Sequence, residues 1–218
     1  MNSDDLIARL ARDAKPVRRL APPWQGALAW LTLAALFMAG VVAVTGLRHD
    51  LGARLGLMTE QLNLAFAMAT AVLAAFAAFH VARPDGDARW AWAPVAPALG
   101  WLAGMGAGCL GEIWRGGLAM GVSFECARFI VGFGVPLTLS MLWMVRHAAL
   151  TRPVEVAALS GLAASALASV GLALVHHLDA AAMVLVWHGG SVALCVWVAR
   201  RWGARALTAM GPKLPEPR

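Results

Sequence analysis

Residues 26–46 read GALAWLTLAALFMAGVVAVTG, an apolar run without a single charged side chain. At about 1.5 Å of rise per residue, a helix of roughly 20 such residues covers the ~30 Å hydrocarbon core of a bilayer. The run is unbroken rather than alternating. That fits a helix, whose backbone hydrogen bonds close within the segment, and not a strand of a membrane barrel. Five more stretches of the same kind follow at about 62–82, 92–111, 125–145, 154–175 and 180–199. Between them lie short connections rich in turn formers, such as Arg83-Pro84-Asp85-Gly86-Asp87 and Thr151-Arg152-Pro153. The expectation is an all-α polytopic membrane bundle of six transmembrane helices, preceded by a short cytoplasmic N-terminal amphipathic helix. It divides the chain into a tail (1–25), a six-helix transmembrane domain (26–199) and a basic C-terminal tail (200–218).

Composition supports this. The chain is 60% hydrophobic and 14% charged with a mean hydropathy of +0.67, too few charges for the surface of a soluble domain of 218 residues. Its net charge of +6 and isoelectric point near 10.5 raise the question of nucleic acid, but the distribution answers otherwise. Basic residues gather in the two tails (Arg9, Arg12, Lys15, Arg18 and Arg19; Arg200, Arg201, Arg205, Lys213 and Arg218), and Arg83, Arg89, Arg146 and Arg152 join them on the same side of a six-span bundle. The opposite loops hold only Arg48, Arg54 and Arg115, with Arg128 just inside the fourth stretch. The positive-inside rule then places both termini in the cytoplasm. No removable secretory signal is expected, because the first apolar stretch is too long and its polar leader too extended. The three cysteines, Cys109, Cys126 and Cys195, form no CxxC. At most one pair can form, with Cys109 and Cys126 the candidates.

Gly100, Gly104 and Gly108 recur at four-residue spacing in the third stretch, and Gly161, Ser165 and Ser169 repeat the interval in the fifth. Small residues at this period let helix backbones approach closely, which predicts tight packing. Gly132, Gly134 and Pro136 predict a bend in the fourth stretch. Trp24, Trp90, Trp92, Trp114 and Trp202 fall at stretch ends, where indole rings meet headgroups, whereas Trp101, Trp143 and Trp197 read as packing residues.

The segment DDLIARLARDAKPVRRLAPP, residues 4–23, is patterned differently. Ser3 suits an N-cap, and Asp4 and Asp5 sit in a first turn where the helix dipole favours negative charge. Leu6, Ile7, Leu10 and Ala14 recur at helical spacing, with Arg9, Arg12 and Asp13 on the other side. Pro16 disfavours helix at Lys15, so the helix stops there. A dozen residues make a marginal helix in water until the apolar stripe is covered, by lipid or by a groove on a partner protein. The small stripe and the Asp4-Asp5 pair, which anionic headgroups repel, favour a protein.

This tail, followed at once by six short-looped spans, resembles the negative-regulator-of-sigma-F family of bacterial inner-membrane anti-sigma factors. Asp4, Asp5, Leu6, Ile7, Val17, Arg18, Arg19, Leu20 and Pro22 carry the most specific part of the resemblance. It implies a membrane anchor that holds a cytoplasmic extracytoplasmic-function sigma factor until a signal arrives. The partner-binding residues would be Asp4, Asp5, Leu6, Ile7, Leu10, Val17, Arg18, Arg19 and Leu20. No catalysis, cofactor or direct nucleic-acid contact is expected, and no oligomeric state is implied.

A signal would reach such a protein from outside or from within the bilayer. The candidate sensing residues are Cys126, Cys109, Glu125, His176, His177 and His188; thiols, imidazoles and carboxylates are metal ligands, and thiols are redox-active in an oxidising compartment. The resemblance matches Cys126 to an outward cysteine of the family and His188, after Trp187, to a family Trp-His pair. A second family cysteine belongs before the last span, where this chain has His176-His177-Leu178-Asp179 instead, which weakens a disulfide switch. Whether a metal binds is left open. His188-Gly189-Gly190-Ser191 is a poor intramembrane protease, because serine and histidine should come from different helices. The histidines are badly spaced for haem. The alternative from another class is a small six-helix membrane transporter, to which only the Gly132–Pro136 bend and His188 point.

Overall fold

The computed structural model describes residues 2–13, 21–115, 124–148, 151–176 and 185–210, leaving out the side chains of Glu112, Phe124, Glu125 and Cys126. The described residues are all-helical, with no strand. Helix α1 (Ser3–Asp13) precedes α2 (Pro23–Thr45), a one-turn α3 (Leu51–Leu55), α4 (Met58–Val81), a 3₁₀ turn (Ala88–Trp92), α5 (Val95–Trp114), α6 (Phe124–Val145) and α7 (Pro153–Val175). A final helical run covers Leu185–Gly189, Gly190–Val198, Ala199–Gly203 and Ala204–Met210 without a break, its first and third parts wound as π-helix.

Among the described residues, five helices are long and apolar enough to cross a membrane: α2, α4, α5 with its preceding turn, α6 and α7. Their bounds follow the apolar stretches closely. Proline opens both α2 (Pro23) and α7 (Pro153), where its missing N–H costs nothing. The last run, expected to end near residue 199, continues helical to Met210. Its 26 residues (185–210) have a length of about 39 Å at 1.5 Å per residue. Pro136 lies inside α6, which stays one continuous helix from Phe124 to Val145.

Helix α7 is the axis of the bundle, packing on α2, α4, α6 and the last run. About half of it is Ala, Gly or Ser, and from Val156 to Leu172 nearly every residue is buried. Short side chains bring neighbours close. A methyl at Gly161 would stand 2.7 Å from Ala199 Cβ and 3.1 Å from the Cys195 carbonyl oxygen. The hydroxyls of Ser160, Ser165 and Ser169 donate to the carbonyls of Val156, Gly161 and Ser165, so each is satisfied within its own helix. Across the bundle, the fully buried Trp30 of α2 donates from Nε1 to the Leu137 carbonyl and Ser140 Oγ of α6, both at 3.1 Å.

Trp101 is buried, as a packing residue should be, but Trp143 and Trp197 point out of the bundle. Trp143 lies under the Arg146 guanidinium, 3.5 Å from its ring centre, and Trp197 meets Trp202 edge to face. The physical reason is that both stand near where the apolar stretch gives way to Arg146 or to Arg200 and Arg201, and an indole ring there can meet the headgroups and has no need to turn inward.

Candidate functional site

Three places bear on function. The first is α1. Asp4 and Asp5 occupy its first turn, and none of its residues is buried; Leu6, Ile7 and Leu10 are 41%, 63% and 62% exposed. The remaining tail residues expected to bind a partner, Val17, Arg18, Arg19 and Leu20, lie outside the described residues.

The second is the root of the tail. Arg83, at the end of α4, donates from Nη1 to the Ala21 carbonyl at 3.2 Å while its other nitrogens pair with Asp85. That pairing holds the Asp85 carboxyl below the usual carboxylate range. His80 stacks on Trp90, ring centres 4.2 Å apart, and Arg152 donates to the Gly86 carbonyl at 3.0 Å. The chain leaving the tail is therefore fixed to the same end of the bundle as the α4–α5 and α6–α7 connections, the three places expected to share one side.

The third is a cleft at the opposite end, of about 810 Å³. Arg48 and Arg54 reach it from the α2–α4 connection, Asn63 from α4, Arg115 from the end of α5, His176 from the end of α7 and His188 from the start of the last run. Each is placed by local structure. The Arg48 N–H donates to the Leu174 carbonyl at 3.0 Å, tying the connection to α7. Its guanidinium, only 8% exposed, donates from Nε and Nη2 to the two carboxylate oxygens of Asp50 at 2.7 and 2.8 Å. Arg54 pairs with Glu60 at 3.0 Å and stands 3.9 Å from Asp50. The Arg48 hydrogen bonds hold the Asp50 carboxyl well below its usual range. On α5, Gly100 and Gly104 leave room for α4: a methyl at Gly104 would land on Asn63 Oδ1, and one at Gly100 would stand 2.9 Å from the Phe66 ring.

Of the expected sensing residues, the structure brings His176 and His188 into this one cleft. Cys109 lies on α5 as a half-buried free thiol, and its candidate partner Cys126 has its side chain outside the described residues. The side chains of Glu125 and Cys126, and all of His177, lie outside the described residues. Among the described residues no group of three or more His, Cys, Asp or Glu is set to hold a metal ion. Sequence reasoning missed Asn63, Glu60 and Trp101 as cleft residues. A polar pair three residues apart where α4 begins was the available signal, since polar groups inside membrane spans are costly without a role.

Chemically, the cleft offers cations, an amide and imidazoles around apolar walls. His188 and Ser191 share one helix, as the sequence implied, and Ser191 is buried. No curated protein and no solved structure matches the chain. A family model described as "negative regulator of sigma F" matches residues 10–208. The match begins after Asp4, Asp5, Leu6 and Ile7, and takes in Leu10 and the basic, proline-containing stretch through Pro22. With that match covering most of its length, the chain belongs to the negative-regulator-of-sigma-F family.

Proposed function

We propose that the chain is a membrane-anchored anti-sigma factor that sequesters an extracytoplasmic-function sigma factor through its N-terminal tail. A negative regulator of a sigma factor has a sigma factor as its partner, and no catalytic step is required to withhold one. The observation that carries the tail assignment is α1 itself, a formed helix whose Leu6, Ile7 and Leu10 are left uncovered. Exposed apolar side chains at i, i+1 and i+4 suit a hydrophobic groove, and Asp4 and Asp5 suit a basic rim beside it. Val17, Arg18, Arg19 and Leu20 extend the contact. A sigma factor held in this way cannot engage core polymerase.

In this reading the last helical run is a sixth span and the protein lies in the bacterial inner membrane with both termini cytoplasmic. The concentration of basic residues at the tail-root end supports that orientation. The signal, from the envelope or from metal or redox chemistry, acts on the side away from the tail, through Cys109, Cys126, Glu125, His176, His177 and His188. Helix α4 is the connecting element. It lines the cleft with Asn63 toward one end, and Arg83 just beyond its other end, about 30 Å away, grips Ala21.

The test is capture of the sigma factor encoded beside this gene by the full-length protein in detergent, compared with a chain lacking residues 2–24. Binding by the first and not the second is expected. Equal binding by both moves the effector surface off the tail, and binding by neither removes the anti-sigma reading.

A further inference from the structure

The cleft holds more polar chemistry than the bundle itself answers. Asp50 and Glu60 pair with Arg48 and Arg54, but Arg115 has no carboxylate partner among the described residues. Neither the Asn63 amide nor the His188 imidazole has a hydrogen bond to any described residue, although both line the cavity. Among the described residues no fully buried side-chain polar atom lacks a partner, so these groups keep surface open to the cavity, where a bound group can reach them. The walls below them are apolar, with Trp101 and Met105 buried behind the cavity. Leu62 and Phe66 of α4 line the cavity and are also exposed on the bundle surface, so it opens sideways between α4 and α5, where Gly100 and Gly104 let the Phe66 ring and the Asn63 amide lie close against α5.

We propose that this cleft is a binding site for an anionic amphiphile, a molecule with a phosphate or carboxylate head and an apolar body. The head lies on Arg115, whose guanidinium has no carboxylate partner among the described residues and suits such oxygens, and accepts from the Asn63 amide. The apolar body lies along the α4 wall, against Leu62 and the Phe66 ring. Binding here is independent of sigma capture, so failure of either leaves the other standing.

The experiment is native mass spectrometry of the full-length protein in a neutral detergent, titrated with phosphatidylglycerol and, separately, phosphatidylcholine. Saturable one-to-one binding of phosphatidylglycerol, at least tenfold tighter than phosphatidylcholine, is expected. Arg115→Gln, at an exposed helix end, should weaken it five- to tenfold, while Arg89→Gln at the far end of the bundle leaves it unchanged. Gly104→Leu, which drives the Asn63 amide out of place, should weaken it likewise; if that variant does not fold, Arg115→Gln carries the test. Competition by inorganic phosphate identifies the source. No displacement makes the ligand a membrane lipid, as proposed; displacement of the lipid at similar concentration makes it a free anion and overturns the amphiphile. Equal binding of the two lipids, or identical affinity for Arg115→Gln and the unaltered protein, overturns it.

Discussion

Replacing Leu6, Ile7 and Leu10 together by alanine removes the uncovered stripe of α1 while keeping a strong helix former at each position. Full burial of a leucine or isoleucine side chain is worth about 1.5–3 kcal/mol. A partner can cover only what is still exposed: 63% of Ile7, 62% of Leu10 and 41% of Leu6. Allowing for the methyl group that alanine retains, the loss is about 1 kcal/mol each at Ile7 and Leu10 and about 0.5 kcal/mol at Leu6. The sum, about 2.5 kcal/mol, corresponds to roughly a 70-fold weaker Kd. The assay is sigma-factor binding to immobilised full-length protein, with Arg12→Ala on the opposite side of α1 as the comparison. Arg12→Ala should change the affinity less than threefold. A sigma factor that binds the triple variant within threefold of the unaltered chain would refute the claim that this stripe is the contact. Loss of affinity no greater than that of Arg12→Ala would show that the contact is not confined to this stripe.

Other outcomes follow from the bundle. Gly161→Val should lower thermal stability in detergent by the equivalent of about 1–3 kcal/mol, because its side chain meets Ala199 Cβ and the Cys195 carbonyl. Gly40→Ala, with nothing within 4 Å, should leave the unfolding temperature unchanged or slightly higher. Trp30→Phe should cost about 1 kcal/mol through loss of its bonds to Leu137 and Ser140, measured by unfolding in detergent. The Asp50 carboxyl is depressed below its usual 3.8 in the folded protein, so its pairing with Arg48 stabilises the fold above that value. That stability is lost as pH falls through the lower folded value; Asp50→Asn should flatten the acid limb of a stability-against-pH curve and leave the neutral-to-alkaline limb in shape.

Where the helices lie along the chain was legible because bilayer thickness sets a length that hydropathy reports directly. The stretch expected at 125–145 is α6 at Phe124–Val145, and 154–175 is α7 at Pro153–Val175. The last stretch was harder. Its basic, tryptophan-containing continuation through Arg200, Arg201 and Trp202 reads as tail, yet the helix runs on, since backbone hydrogen bonds are as well made by polar residues beyond the bilayer. The α1 stripe was visible because a helix in water must be patterned, and Leu6, Ile7 and Leu10 stand out against charges.

By itself, then, the sequence determined that this is an all-helical chain with membrane-length apolar segments and a patterned charged tail, because water and lipid select residues by polarity and length. It also carried the small-residue spacing that Gly104 and Gly161 turn into close contacts. Only the tertiary structure decided that α7 is the axis, that Trp143 and Trp197 face outward, and that Arg48, Arg54, Asn63, Arg115, His176 and His188 meet in one cleft. Inside a bilayer an apolar side chain gains nothing by turning inward, so hydrophobic periodicity does not say which face packs. Those faces are chosen by van der Waals fit and by a few polar groups seeking partners, interactions between residues more than a hundred positions apart that no local pattern reports.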